Sequence, residues 1–191
     1  MLQEDAKKLI EESIAVKKEA VLKCTDEIAK AASVIIEAYR KGKKVLICGN
    51  GGSAADAQHI AAELVGRYKM ERKALPAIAL TTDTSIITAV GNDYGFEKIF
   101  SRQVEALGEK DDVLVAISTS GNSPNALSAM EEAQKKGMRI IVLAGGTGGK
   151  MREMKSDAMI IAPSNNTPRI QELHITAGHI ICELVEKELF G

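Results

Sequence analysis

From residue 43 onward, short unbroken apolar runs alternate with longer segments in which apolar residues recur every three or four positions. The runs are VLICG (45–49), AIALT (77–81), VLVAIST (113–119), RIIVLAG (139–145) and AMIIAP (158–163). Runs that are apolar at every position predict strands covered on both faces. The segments between them, 53–66, around 84–107, 124–136 and a short one near 148–154, have helical spacing. Strand–helix alternation of this kind predicts a five-stranded parallel sheet with right-handed crossovers. A long helix over 168–190 closes the chain.

Residues 2–41 read differently, as two helices ahead of the first strand. Leu2, Ala6, Leu9, Ser13, Val16 and Ala20 step by fours and threes. Cys24, Ile28, Ala31, Ile35 and Tyr39 continue a similar stripe, which stops at Lys41-Gly42. Such a pair either packs on its own domain or attaches to partner helices, and the stripe fits both. A single domain over 1–191 is expected, with the helical pair at 1–42 and the α/β core with its C-terminal helix at 43–191.

Composition removes several classes of function. The 191 residues are 45% hydrophobic and 27% charged, as in a globular domain with a sizeable core. A net charge of −1 gives no long-range attraction to nucleic acid or anionic lipid. With no Trp, three Tyr and three Phe, there is little to stack on bases. Cys24, Cys48 and Cys182 lie far apart in apolar stretches and read as reduced core thiols. The first residues, MLQEDAKKLI, carry acids where a signal peptide wants bases, and no run reaches transmembrane length. The expected location is the cytoplasm.

Ligands of parallel sheets bind at the carboxyl ends of the strands, so the loops after the first three runs carry the interest. The first is GNGGSAADAQH, in which Gly49, Gly51 and Gly52 let the backbone come close to a ligand at a helix start. It also fits the Ala-ended dinucleotide fingerprint, but the acid that fingerprint needs is poorly placed, with Asp83 beyond two threonines. A purely structural glycine turn is the bland alternative. After the third run comes STSGNS (118–123), six small residues with no cation or aromatic. Ser123 before Pro124 suits an N-cap. Capping leaves Ser118, Thr119, Ser120 and Asn122 unexplained, and a phosphate monoester accounts for them, held by hydroxyls, amides and the helix dipole. After the second run, VGNDYGF offers Asn92 and Asp93, which either shape a turn or hold sugar hydroxyls.

Two of the three histidines stand off the core stripes. His59 and Glu63 share a face of the helix after the glycine loop, and that face lies more than a right angle from the stripe of Ala57, Ile60, Ala61 and Leu64. On the last helix, Gln171 and His179 lie off the stripe of Ile170, Leu173, Ala177, Ile180, Ile181 and Leu184, while His174 sits at its edge as a packing histidine. Both outward pairs face solvent or another chain.

GNGGSAADAQHIAAELVGRY, VGNDYGFEKIFSRQVEALG, ISTSGNSPNAL and RIQELHITAGHIICELVEKE, in this order, closely resemble the phosphoheptose isomerases of the sugar isomerase (SIS) fold. The resemblance covers nearly the whole chain. It implies a flavodoxin-like three-layer α/β domain, a homotetramer with active sites between subunits, and conversion of sedoheptulose 7-phosphate to D-glycero-D-manno-heptose 7-phosphate. Carried over residue by residue, it implies that Asn50, Gly51, Gly52, Ser53, Arg67, Asn92 and Asp93 contact substrate. Ser118, Thr119, Ser120 and Ser123 then take its phosphate. It further implies His59, Glu63, Gln171 and His179 as ligands of one zinc per subunit, Glu63 and His179 as the acid–base pair, and Gln171 also at the substrate. Pro168 stands where some relatives have an acidic residue. Gln171 and His179 are separated by about 12 Å along a helix. Either that helix begins after Gln171 or the ligands come from different subunits, and the outward orientation of both pairs favours the second. The rival expectations are a sugar-phosphate sensor or protein-binding module, like the DnaA initiator-associating protein, and a dinucleotide enzyme.

Overall fold

In the computed structural model, which describes residues 1–191, the apolar runs lie side by side in one parallel sheet. Its strands are β1 (Val45–Gly49), β2 (Ala77–Ala79), β3 (Val113–Ser118), β4 (Arg139–Gly145) and β5 (Ala158–Ala162), in the order β2-β1-β3-β4-β5. β1 and β3 are buried at every residue, which is why their sequences do not alternate. Edge strand β5 does alternate, buried and half-buried by turns. The order reverses at β1, where the chain moves first to β2 on one side and then to β3 on the other. That switch opens a crevice at the carboxyl ends of β1 and β3.

Helices cover both faces, giving the three-layer α/β architecture. One core lies between the sheet and α2 (Thr25–Arg40), α3 (Gly52–Val65) and α7 (Thr167–Phe190). The other lies under α5 (Ser101–Leu107) and α6 (Pro124–Lys135). All three cysteines are unpaired and buried, and burial pushes the Cys48 and Cys182 thiols up to about 12, so they are inert core residues.

The N-terminal pair divides its roles. α2 buries Ile28, Ala31, Ala32, Val34, Ile35, Ile36 and Ala38, and so belongs to the domain's own core. α1 (Leu2–Lys23) buries only Ala20 and leaves Ile10, Ile14 and Val21 exposed. The single helical segment expected over 84–107 is broken. α4 (Thr84–Tyr94) ends at Gly95, whose φ of 93° and ψ of 154° no helix can hold. A 3-10 turn, Phe96–Lys98, then leads into α5. The second strand is also shorter than its apolar run, with Ala77, Ile78 and Ala79 paired to Val45, Leu46 and Ile47 of β1. No helix is long and apolar enough to cross a membrane.

Candidate active site

At the end of β3 the buried Ser118 hands over to the loop that starts α6. Ser123 occupies the N-cap position but does not cap. Its Oγ lies 2.9 Å from Ser118 Oγ, and no side chain caps the helix. The sequence suggested a cap because hydroxyl-then-proline fits one. The structure instead links the two hydroxyls across the loop. Pro124 carries no N–H and the Ala126 amide donates to Asn125 Oδ1 at 2.9 Å, so the Asn125 amide is the donor the first turn has left for an anion. Ser120 Oγ accepts from the Asn122 amide at 3.2 Å, which folds the loop back on itself. Beside it opens a polar hollow of about 190 Å³, lined by Thr119, Ser120, Gly146, Thr147, Asn165 and Thr167. Hydroxyls, free amides and a helix dipole are what an anionic ester needs, with no cation required.

The glycine loop between β1 and α3 is tied to this phosphate loop by a reciprocal amide pair. Asn50 Nδ2 donates to Asn125 Oδ1 at 2.9 Å, and Asn125 Nδ2 donates to Asn50 Oδ1 at 2.8 Å. Asn125 was not singled out in the sequence, although a 2% exposed amide in the first turn of a helix demands a partner. Gly52 is pressed against the side chain of Gln171. Asp83, the only acid near the end of β2, is committed to capping α4 through the Ile86 amide at 2.9 Å. That removes the dinucleotide reading's ribose-binding acid.

α3 and α7 run side by side in one layer. Gly52 meets Gln171, and Ile60, eight residues further along α3, meets Gly178, seven residues further along α7. Nearly equal steps in the same direction mean that the two helices run parallel. Gly178 permits the approach, because a Cβ there would stand 2.7 Å from Ile60 Cδ1. The faces that looked outward on each helix therefore meet at the seam. His59 Nε2 lies 2.8 Å from His179 Nε2 and 3.3 Å from Glu63 Oε1, and one ligand atom from each of the three falls within 4.8 Å of the others.

This corrects the expectation that the pairs meet only across subunits, for His59, Glu63 and His179 converge within one chain. Helical periodicity gives a direction on each helix but not which helix lies in that direction. α7 begins before Gln171, so the other explanation offered for the spacing also fails. Gln171 stands at the glycine loop, apart from the imidazoles.

Around the cluster, the Tyr68 ring lies 5.9 Å from that of His179. Asp56, one turn before His59, has a buried Oδ2 without a hydrogen-bond partner, and burial pushes its carboxyl up to about 6 against the opposing pull of His59. His174 is fully buried, donates from Nε2 to the Ala144 carbonyl at 3.0 Å, and is held below its ordinary pKa by burial. It packs, as its place on the stripe implied. Arg67 is exposed and pairs with Glu71 at 3.6 Å. Asn92 and Asp93 are exposed and bonded to each other at 2.8 Å, with no hydrogen bond to either loop.

Comparison with known proteins identifies the fold and the family. Residues 9–145 match the SIS domain family. The phosphoheptose isomerase of Geobacter sp. (strain M21) is 62% identical over 163 residues, 85% of this chain and 84% of that one. The solved structure of phosphoheptose isomerase GmhA from Neisseria gonorrhoeae superposes with a TM-score of 0.93 at 46% identity, covering 98% of this chain and 100% of that one. A phosphoheptose isomerase from Francisella tularensis gives 0.95 at 43%, covering 98% and 99%. On fold and similarity alike, the chain belongs to the SIS-domain phosphoheptose isomerases and is a sugar-phosphate isomerase.

Proposed function

We propose that this enzyme converts sedoheptulose 7-phosphate to D-glycero-D-manno-heptose 7-phosphate through an enediol, with Glu63 as base and His179 as partner acid. The observation that carries the reading is the approach of Glu63, His59 and His179 within 4.8 Å on one chain. Moving a carbonyl from C2 to C1 requires removing a proton from C1 and delivering one to C2. A carboxylate with an imidazole beside it can do both. Ser118, Thr119, Ser120 and Ser123 hold the phosphate, and Asn50, Gly51, Gly52, Ser53 and Gln171 line the sugar's path. The product opens the route to nucleotide-activated heptose for lipopolysaccharide or other surface glycans.

His59, Glu63 and His179 supply a nitrogen–nitrogen–oxygen donor set that suits zinc. Tetrahedral zinc with bonds near 2.0–2.1 Å spaces its ligand atoms about 3.3 Å apart. The His59–Glu63 distance of 3.3 Å fits, and the imidazoles at 2.8 Å need only a small opening. Bound there, zinc supplies Lewis-acid stabilisation of negative charge on the sugar oxygens. The placement of Gln171 favours a substrate contact over a fourth ligand.

Seven residues of α3 separate His59 from Gly52, a rise of about 10 Å. The phosphate loop stands beyond Gly52. That gap supports active sites assembled between subunits of a homotetramer, where the acid–base cluster of one chain serves a phosphate held by another. The absence of any buried residue on α4, which carries Asn92 and Asp93, and the exposed apolar edge of α1 favour the same assembly. Three unpaired cysteines support a cytoplasmic location.

Glu63→Gln, assayed with sedoheptulose 7-phosphate for an aldose product, is expected to lose turnover by roughly 10²–10⁴-fold while retaining phosphate binding. Turnover near wild type would end the acid–base assignment. Fructose 6-phosphate run in parallel tests the substrate, and equal turnover of both would remove the heptose specificity.

A further inference from the structure

Arg72 and Glu186 form an ion pair inside the protein, with side chains 1% and 3% exposed and Arg72 Nε 2.9 Å from Glu186 Oε2. Neither residue has a part in the site described above, yet their bonds converge on it. Glu186 lies on α7 seven residues beyond His179, on the same side of the helix. Its carboxylate accepts three successive backbone amides of the loop after α3, from Tyr68 at 3.0 Å, Lys69 at 2.7 Å and Met70 at 2.7 Å. Arg72 closes the circuit onto α3. One guanidinium nitrogen donates to the Glu63 carbonyl at 2.8 Å, and another donates to Leu64 at 2.9 Å, Lys73 at 3.1 Å and Gly66 at 3.3 Å.

A buried ion pair is weak evidence of a stabilising role, since desolvating two charges offsets most of their attraction and apolar replacements often do as well. What apolar side chains cannot supply is direction. Here the carboxylate gathers a loop of the chain and the guanidinium fork spans carbonyls at the end of α3. One of those carbonyls belongs to the residue whose carboxylate acts as base. A second line runs through Tyr68, whose amide is held by Glu186 and whose ring stands 5.9 Å from that of His179. Arg67 is presented from the same loop.

We propose that Arg72 and Glu186 are positioning residues for the isomerase site. The pair sets α3 against α7 at the height of Glu63 and His179 and docks the 66–73 loop beside them. Neither residue touches substrate. Their effect falls on the alignment of base and acid, and so on kcat. Binding of the phosphate, at loops on other elements, is left intact. The inference rests on the reading of Glu63 and His179 as the acid–base pair.

The test uses the full-length enzyme with sedoheptulose 7-phosphate. Arg72→Lys keeps a cation beside Glu186 but has no planar fork to span the Glu63 and Leu64 carbonyls. The expected result is a kcat lowered roughly 10- to 100-fold, with KM changed less than about threefold, in protein that remains folded by circular dichroism. A purely structural role lowers the melting temperature and leaves kcat per folded site unchanged, and that result overturns the proposal. Hydrogen exchange on the unmodified enzyme gives a second readout that does not depend on a variant folding. The Tyr68, Lys69 and Met70 amides are expected to exchange as slowly as the interior amides of α3, and exchange at the rate of a solvated loop overturns the proposal equally. Failure of the underlying acid–base reading shows separately, as turnover surviving Glu63→Gln with the three amides still protected.

Discussion

Replacing Gly178 by alanine tests the spacing of α3 and α7 on which the His59–Glu63–His179 cluster depends. The added methyl would stand 2.7 Å from Ile60 Cδ1 and 2.9 Å from Ile60 Cγ1. Comfortable carbon–carbon contacts run about 3.5–4.0 Å, so the side chain or the helices must give by about 1 Å. Rotation of Ile60 can move Cδ1 away, but Cγ1 is fixed closer to the backbone. Overpacking of this kind costs about 1–3 kcal/mol. Exchanging glycine for alanine inside a helix returns about 1 kcal/mol. The two nearly cancel, leaving a net loss of about 0–2 kcal/mol. At roughly 2–4 °C per kcal/mol for a chain of this size, the melting temperature falls by at most about 8 °C. Turnover is the sharper measure, because a misplacement of about 1 Å between catalytic groups costs up to about 100-fold. Steady-state kinetics beside thermal unfolding therefore separate the effects, with kcat falling far more than stability predicts. Ile60→Ala removes both crowding atoms, so the double variant should recover much of the lost kcat. The reasoning is refuted if Gly178→Ala melts higher than wild type, turns over at the wild-type rate and adds independently to Ile60→Ala.

Other expectations follow from the same geometry. Ser123→Ala removes a hydroxyl that contacts Ser118 and caps nothing, so unfolding should be little changed while KM for the sugar phosphate rises roughly tenfold or more. Unchanged KM would place the phosphate elsewhere. Burial works to raise the Glu186 pKa, but the amides of Lys69, Tyr68 and Met70 together with Arg72 outweigh it and hold the carboxyl below its ordinary 4.5. A depressed folded-state pKa gives stability that is present above about 4.5 and is lost as pH falls through the folded value. Melting curves below pH 4.5 should thus fall less steeply for Glu186→Gln than for wild type, and equal slopes would contradict this. Dialysis against a chelator should abolish turnover and zinc should restore it, with about one ion bound per chain by metal analysis. Full activity in metal-free protein would take zinc out of the chemistry.

Much of this protein was legible in the sequence because it depends on local periodicity. Unbroken apolar runs as short as those of β1 and β3, bounded by turn residues, fit strands buried on both faces. The order of loops after those runs points to the carboxyl ends of a parallel sheet. His59 with Glu63, and Gln171 with His179, are readable as off-stripe residues because 100° per residue fixes a direction on a helix. Tertiary structure decided what lay in that direction. Only the parallel packing of α3 on α7, set by Gly178 against Ile60, brings His179 to Glu63 within one chain and leaves Gln171 at the glycine loop. The break at Gly95 and the turn of Ser123 towards Ser118 escaped the sequence because a backbone angle and a rotamer follow from neighbours that only the fold supplies. Asn125, Arg72 and Glu186 escaped it because a polar residue in a core is defined by its partners, and those partners lie 75 and 114 residues away along the chain.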